Sequence, residues 1–358
     1  MVGGPVSVKD LAQELVDADD FDHLLERARL VRQTGKGKAP RAYIGFEPSG
    51  TAHVGWMVCT QMIKGLVDEG FDVTILLADW HAQINDKLGG DLHNIRRCAE
   101  YMTDAFEALG VDKDSVTYRF AAESAKDDQY WAKVIQVAKH TTLARMRRAM
   151  DIMGRTEDEG DRDVSKFLYP AMQVADIFHM DIDLACGGMD QRHAHMLARD
   201  VAKKLGHKAP VAFHTPLVPN LKAGAGRMDP AEAKMSKSDP DTGVFVHDSP
   251  EDVTRKLQKA HCPAGEVEGN PVLDLLRLVV FPRLEDGFHI ERPDKFGGPL
   301  HYTTFASVEA SFKDGDLHPA DLKNGVAAAL NAILVPVHAY FKEHPDNLAF
   351  IQGLRTTR

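Results

Sequence analysis

Cysteine is scarce: Cys59, Cys98, Cys186 and Cys262 are the only four in 358 residues, and none forms a CxxC pair. That spacing excludes a zinc knuckle and a disulfide framework, and scattered single thiols fit a reducing cytoplasm. Basic charge is also in short supply. Lys plus Arg number 43 against 53 Asp plus Glu, a net charge of −10, so the chain does not grip nucleic acid by overall charge, although a local basic patch remains open. No run approaches the ~18 apolar residues of a membrane-spanning helix, and the N-terminal stretch has no apolar signal core, so no membrane association is expected. Repeats and low-complexity tracts are lacking too. What remains, 44% hydrophobic and 27% charged residues, is the composition of a globular chain of about two domains.

The apolar pattern alternates. The spacing predicts a helix over residues 6–32 and a Gly/Lys linker to residue 40. A strand follows at 42–46, a helix at 53–69 and a near-continuous apolar strand, FDVTILLA, at 71–78. Helix at 92–109, strand at 115–120, helices at 130–153 and 163–180, strand at 182–186, helix at 190–205 and strand at 211–218 complete the series. This order reads as an α/β, doubly wound (Rossmann-like) parallel sheet. Residues 221–243 hold Gly224, Gly226, Pro230, Pro240 and Gly243 with almost no aliphatic residues, and are expected to form a long mobile loop. Beyond residue 244 the pattern is mostly helical, with a strong start at Ser249-Pro250-Glu251-Asp252 and a helix from 319 to 341 bent or stopped near Pro336. The expected organisation is an N-terminal helical segment (1–40), a catalytic sheet domain (41–220), the loop (221–243) and a helical domain (244–358).

Three stretches carry chemistry. In YIGFEPSGTAHVGW, residues 43–56, Gly50 and Gly55 permit close approach of a ligand to the backbone, and His53 stands near a helix start where an anion is favoured. H-x-G by itself is a common turn. Far downstream, Lys234-Met235-Ser236-Lys237-Ser238 places two lysines among hydroxyls, a composition suited to neutralising a leaving pyrophosphate. The pair is far more specific than either part. In YPAMQVADIFHM, Tyr169, Gln173 and Asp176 stand at i, i+4 and i+7, within about 60° of one another on a helix, and Pro170 predicts Tyr169 to be a cap. Such a polar stripe is either a solvent face or a pocket wall. Gly187-Gly188 makes a turn beside which Asp190 could meet a ribose hydroxyl. His81, at the end of the second strand, faces the same crevice or is a satisfied structural histidine. Lys139, Arg145, Arg147 and Arg148 make a basic helix that is either solvated or a nucleic-acid contact.

HVGW and KMSKS resemble the HIGH and KMSKS signatures of class I aminoacyl-tRNA synthetases. Within these the chain resembles the tyrosyl-tRNA synthetases of the archaeal and eukaryotic type. The likeness includes YIGFEPSG, LLADWHA, TTLARMRRAM, YPAMQVADI, GGMDQRHAHMLAR, KMSKSDP, CPAGEVEGNP, RPDKFGG and LHPADLKN, from about residue 42 to 336. Three departures stand out: Trp56 at the fourth HIGH position, Trp80 in LLADWHA, and no Gln in AAESAKDD. The resemblance implies ATP-dependent activation of L-tyrosine, with Mg²⁺ on the phosphates, and transfer to tRNA(Tyr). It implies a catalytic set of His53, Lys234 and Lys237, and a tyrosine set of Tyr43, Tyr169, Gln173, Asp176 and Gln191, with His81 nearby. For ATP it implies Gly50, His53, Gly55, Gly187, Asp190, Lys237 and Ser238. For tRNA it implies Arg148 and Arg192 near the acceptor end and Phe296, His318 and Asp321 at the anticodon. A homodimer formed through an insertion at about 115–163 is also implied. A paralogue activating another aromatic amino acid, or a tRNA-binding protein without catalysis, remains the alternative.

Overall fold

The computed structural model describes residues 7–154, 163–222 and 240–354. The chain divides into two compact units, each discontinuous in sequence, whereas the pattern of the sequence draws contiguous domains. One comprises Val8–Gly50, Cys59–Pro216 and Asp346–Arg358; the other comprises Met1–Ser7, Thr51–Val58 and Leu217–Pro345.

The first unit is built on a six-stranded sheet. Its strands are β1 (Glu14–Val16), β2 (Arg41–Phe46), β3 (Asp72–Leu77), β4 (Thr117–Phe120), β5 (Leu184–Gly188) and β6 (Val211–Thr215), in the order β1-β6-β5-β2-β3-β4. The pairs β6–β5, β5–β2, β2–β3 and β3–β4 are parallel. The chain leaves β2 toward β3 on one side and returns through β5 on the other. The order therefore reverses between β2 and β5, and their carboxyl ends form the crevice where ligands bind in such sheets. The register sets Tyr43 of β2 beside Thr74 of β3 and Ala185 of β5. One apolar core joins Tyr43, Leu76 and Ala185 of the sheet to Tyr130, Val134, Val174 and Leu197 of the covering helices.

The N-terminal segment differs from expectation. Instead of one helix it forms a 3₁₀ turn at Val8–Leu11, strand β1 and a helix at Ala18–Thr34, with Asp17 in the left-handed region at φ 64°. β1 pairs antiparallel with β6, Glu14 opposite His214. Three residues carry too little periodicity to outweigh a helical pattern, and the pairing partner lies about 200 residues away. The stretch expected as one helix over 130–153 is broken into helices Asp128–Lys139 and Leu143–Ala149 and a 3₁₀ turn at Met150–Met153. Thr142 caps the second helix by accepting from the Arg145 N–H. The helix carrying the polar stripe runs Leu168–His179, so Tyr169 is helical and not a cap. Pro170 sits in the first turn, where its missing N–H has no partner to lose.

The second unit holds helices Pro250–Lys259, Pro271–Leu275, Phe305–Asp314 and Pro319–Glu343 and a hairpin of β7 (Phe288–Ile290) and β8 (Leu300–Tyr302). The last of these helices continues past Pro336 rather than stopping there. Its buried stripe of Leu322, Val326, Leu330, Leu334, Val337 and Phe341 packs on both sides of the proline and outweighs one missing backbone bond. By length and composition this helix could cross a membrane, but that stripe is part of the unit's core. At Gly325 a Cβ would lie 2.8 Å from Ile290 and 2.9 Å from Phe288, so only glycine lets the helix approach the hairpin this closely.

Candidate active site

The sheet unit gathers the expected amino-acid set. Tyr43 comes from β2, His81 from the helix Asp79–Ile84, and Tyr169, Gln173 and Asp176 from the helix Leu168–His179. Asp176 is fully buried, and its Oδ2 lies 3.3 Å from His81 Nε2. This approach is not an ion pair. Burial pushes the Asp176 carboxyl well above its ordinary range, and burial pushes the His81 imidazole down to about 4, so both favour their neutral forms. Burial, reinforced by the Asp176 carboxyl, also raises the Tyr43 phenol. Neither Asp176 oxygen, neither His81 nitrogen, nor the Tyr43 hydroxyl has a hydrogen-bond partner. Tyr130 stands close to Asp176, but its hydroxyl donates to the Met172 carbonyl at 3.4 Å. The result is a buried knot of polar atoms in an apolar setting, a costly arrangement unless a ligand supplies the missing bonds.

Farther along the same helix most polar groups are partnered, although Gln173 Oε1 is not. The Tyr169 hydroxyl donates to Glu47 Oε1 at 2.7 Å, and Glu47 is held in turn by Asn85 Nδ2 at 2.9 Å. Gln173 Nε2 donates to Gln191 Oε1 at 3.2 Å, and Gln191 Nε2 donates to the Ile152 carbonyl at 3.3 Å. A Cβ at Gly187 would sit 2.9 Å from that of Gln191, which fixes glycine at this position. Asp190 stands half-buried in the 3₁₀ turn Met189–Gln191, and the helix that was expected to begin there starts at Arg192. Gly50 closes the turn after β2 at φ 121°.

His53 belongs to the other unit. The helix expected to open with it begins at Trp56, and His53 instead bridges to Phe245, flanked by backbone bonds from Val54 N–H to Val244 and from Val246 N–H to Ala52. Its Nδ1 accepts from the Gly55 N–H at 3.1 Å, which places the ring proton on Nε2. A Cβ on Gly55 would lie 2.7 Å from that ring. Lys234, Lys237 and Ser238 lie outside the described residues.

A family profile described as tRNA synthetases class I (W and Y) matches residues 35–335. The chain is 52% identical over 312 residues to a tyrosine–tRNA ligase of Aeropyrum pernix, covering 84% of this chain and 85% of the relative. It is 49% identical over 348 residues to that of Sulfurisphaera tokodaii, covering 95% and 93%. The crystal structure of tyrosyl-tRNA synthetase complexed with L-tyrosine from Pyrococcus horikoshii is 39% identical and superposes with a TM-score of 0.86 over 97% of both chains. The chain belongs to the archaeal-type tyrosyl-tRNA synthetases.

In this synthetase the remaining expected residues divide by unit. Arg148 is exposed on the helix Leu143–Ala149. Arg192 donates from Nε to Glu14 Oε2 at 2.7 Å. In the helical unit Phe296 is 60% exposed, with the Lys295 ammonium 4.9 Å over its ring. His318 caps the helix Pro319–Glu343 through Nδ1, which accepts from the Ala320 N–H. Asp321 lies 3.6 Å from Arg292, whose Nε donates to the Gly298 carbonyl at 2.6 Å. Arg292 thus ties the Phe296 loop to the helix that bears Asp321. Sequence reasoning missed Arg292, Glu47, Asn85 and Glu14. Of these Glu47 and Arg292 had a signal, their places in YIGFEPSG and RPDKFGG.

The buried histidines of the synthetase set a pH dependence. Folded His81 titrates near 4 against 6.5 for the exposed group, so between these values the unfolded chain binds a proton that the folded chain refuses. Stability from this group is full above 6.5 and is lost as pH falls toward 4, with a limiting slope of about 1.4 kcal/mol per pH unit. Denaturant unfolding of wild type and His81→Gln at pH 7 and pH 5 should show the smaller acid loss in the variant.

Proposed function

We propose that the chain is a tyrosine–tRNA ligase that activates L-tyrosine with ATP and transfers it to the 3′ end of tRNA(Tyr). The observation that carries this reading is the buried, unpartnered knot of Asp176, Tyr43 and His81, which suits a phenol hydroxyl that both donates and accepts. Tyr169, Gln173 and Gln191 serve the ammonium end of the amino acid. The tyrosine carboxylate attacks the α-phosphorus of ATP, the bond to the bridging oxygen breaks, and pyrophosphate leaves. No protein nucleophile is needed. His53, by its Nε2–H, and the lysines Lys234 and Lys237 stabilise charge on the phosphates in the transition state, with Mg²⁺ carried on the triphosphate as part of the substrate. For ATP the sheet unit offers Gly50, Gly187 and Asp190, and the resemblance adds Gly55 and Ser238. Amino-acid-dependent ATP–pyrophosphate exchange across the twenty amino acids tests the reading. Exchange with tyrosine alone supports it, and exchange with another aromatic amino acid or with none refutes it.

Arg148 and Arg192 serve the acceptor end of the tRNA, and Phe296, His318 and Asp321 its anticodon. Asp321→Asn should lower kcat/KM for tRNA by about 5- to 150-fold, the usual worth of a base contact, and leave pyrophosphate exchange unchanged. A parallel fall in both reactions would assign Asp321 to the fold. The insertion at 115–163, of which 155–162 lie outside the described residues, provides the face of a homodimer. Support comes from Ile135 and Leu143, which are 65% and 60% exposed on that stretch. Ile135→Asp should shift the sedimentation coefficient toward that of a monomer.

A further inference from the structure

Behind the amino-acid pocket lies a chain of polar groups that the reaction above does not use. Glu14 of β1 accepts from Arg192 and also lies 3.0 Å, through Oε2, from His214 Nδ1. His214 Nε2 lies 3.0 Å from His195 Nδ1, and the two rings stack at 19°. Both histidines are fully buried. The Arg192 guanidinium holds the Glu14 carboxyl low, so it is ionised, and burial holds His214 below its ordinary value, so its ring carries one proton at neutral pH. A carboxylate is an acceptor only, so that proton sits on His214 Nδ1. His214 Nε2 is then an acceptor and His195 Nδ1 must donate to it. The proton of His195 is therefore fixed on Nδ1, which leaves Nε2 as a lone-pair acceptor.

That nitrogen is buried and has no partner. The adjacent Cε1 would meet a Cβ on Gly187 at 3.2 Å, just where Gln191 also crowds the turn, and the ring stands edge-on to Tyr43 with centroids 6.3 Å apart. We infer that Glu14, His214 and His195 form a tautomer-fixing relay that presents His195 Nε2 as an acceptor for the ammonium group of the bound amino acid, beside Gln191. Glu14 and His214 act through His195 and are positioning residues. The inference rests on the ligase reading and adds a binding residue and its support to it.

The test uses pyrophosphate exchange in the full chain. His195→Asn keeps a donor at the Nδ1 position and deletes the Nε2 acceptor, so KM for tyrosine should rise about tenfold or more with little change in kcat. Glu14→Leu touches nothing in the pocket, but it frees His214 to place its proton on Nε2 and turns His195 Nε2 into a donor. KM should rise similarly, and the double variant should be no worse than His195→Asn alone. An unchanged KM in His195→Asn, or additive effects in the double variant, overturns the relay. Should Glu14→Leu fail to fold, ¹⁵N spectra of histidine-labelled wild type decide. A non-protonated His195 Nε2 that shifts on adding tyrosine supports the relay, and a protonated one overturns it. Wild-type chain without any tyrosine-dependent exchange would defeat the ligase reading itself rather than the relay.

Discussion

Asp176→Ala is expected to erode the preference for tyrosine over phenylalanine. Rejection of phenylalanine by about 10⁵ without editing is a known property of tyrosyl enzymes rather than a result of this structure. The proposed tyrosine site supplies a cause. Asp176, Tyr43 and His81 are buried without hydrogen bonds, and a ligand that lacks the phenol hydroxyl leaves them so. Removing the carboxyl should cost discrimination at least about 1–3 kcal/mol, the usual cost of an unpaired buried group. The measurement is kcat/KM for both amino acids in wild type and variant, and an unaltered ratio would show that Asp176 does not read the hydroxyl. Stability gives an independent check. Burial raises the folded carboxyl well above 3.8, so its contribution is full below that value and is lost as pH rises through the folded value. Asp176→Asn, which has no such titration, should therefore melt higher than wild type at pH 7 and converge with it near pH 4.

Lys237→Ala is expected to slow adenylate formation by about 10²–10³ while leaving tyrosine affinity near wild type, because the role proposed for the lysine is to neutralise charge that develops only as pyrophosphate departs. Single-turnover formation of tyrosyl-adenylate separates the two quantities. An unchanged rate would refute the role given to the second lysine of the KMSKS motif.

The central strands were legible because a strand buried on both faces is a continuous apolar run, as in Asp72–Leu77. The stripe of Tyr169, Gln173 and Asp176 was legible because helical spacing alone puts the three on one face. The state of Asp176 was not. A lone carboxylate in a sequence reads as ionised, and it is burial in the surrounding core that favours the neutral acid. β1 was hidden for the same reason at the level of the backbone, since its three residues become a strand only through β6. Arg292 opens RPDKFGG, but its role was hidden because its partners, Gly298 and Asp321, are set by a loop and a helix end rather than by periodicity.

β1 also decides how the chain behaves in company. It is the antiparallel strand at the margin of the sheet, and the strand it covers, Val211–Thr215, is buried along its whole length. Cutting the chain back past Val16 would expose a bare row of N–H and C=O groups flanked by Val211, Ala212 and Phe213, a template that recruits strands from other molecules. A shortened version is thus expected to precipitate before it loses its fold. Affinity handles or fluorescent fusions belong at a site that leaves this short strand in place.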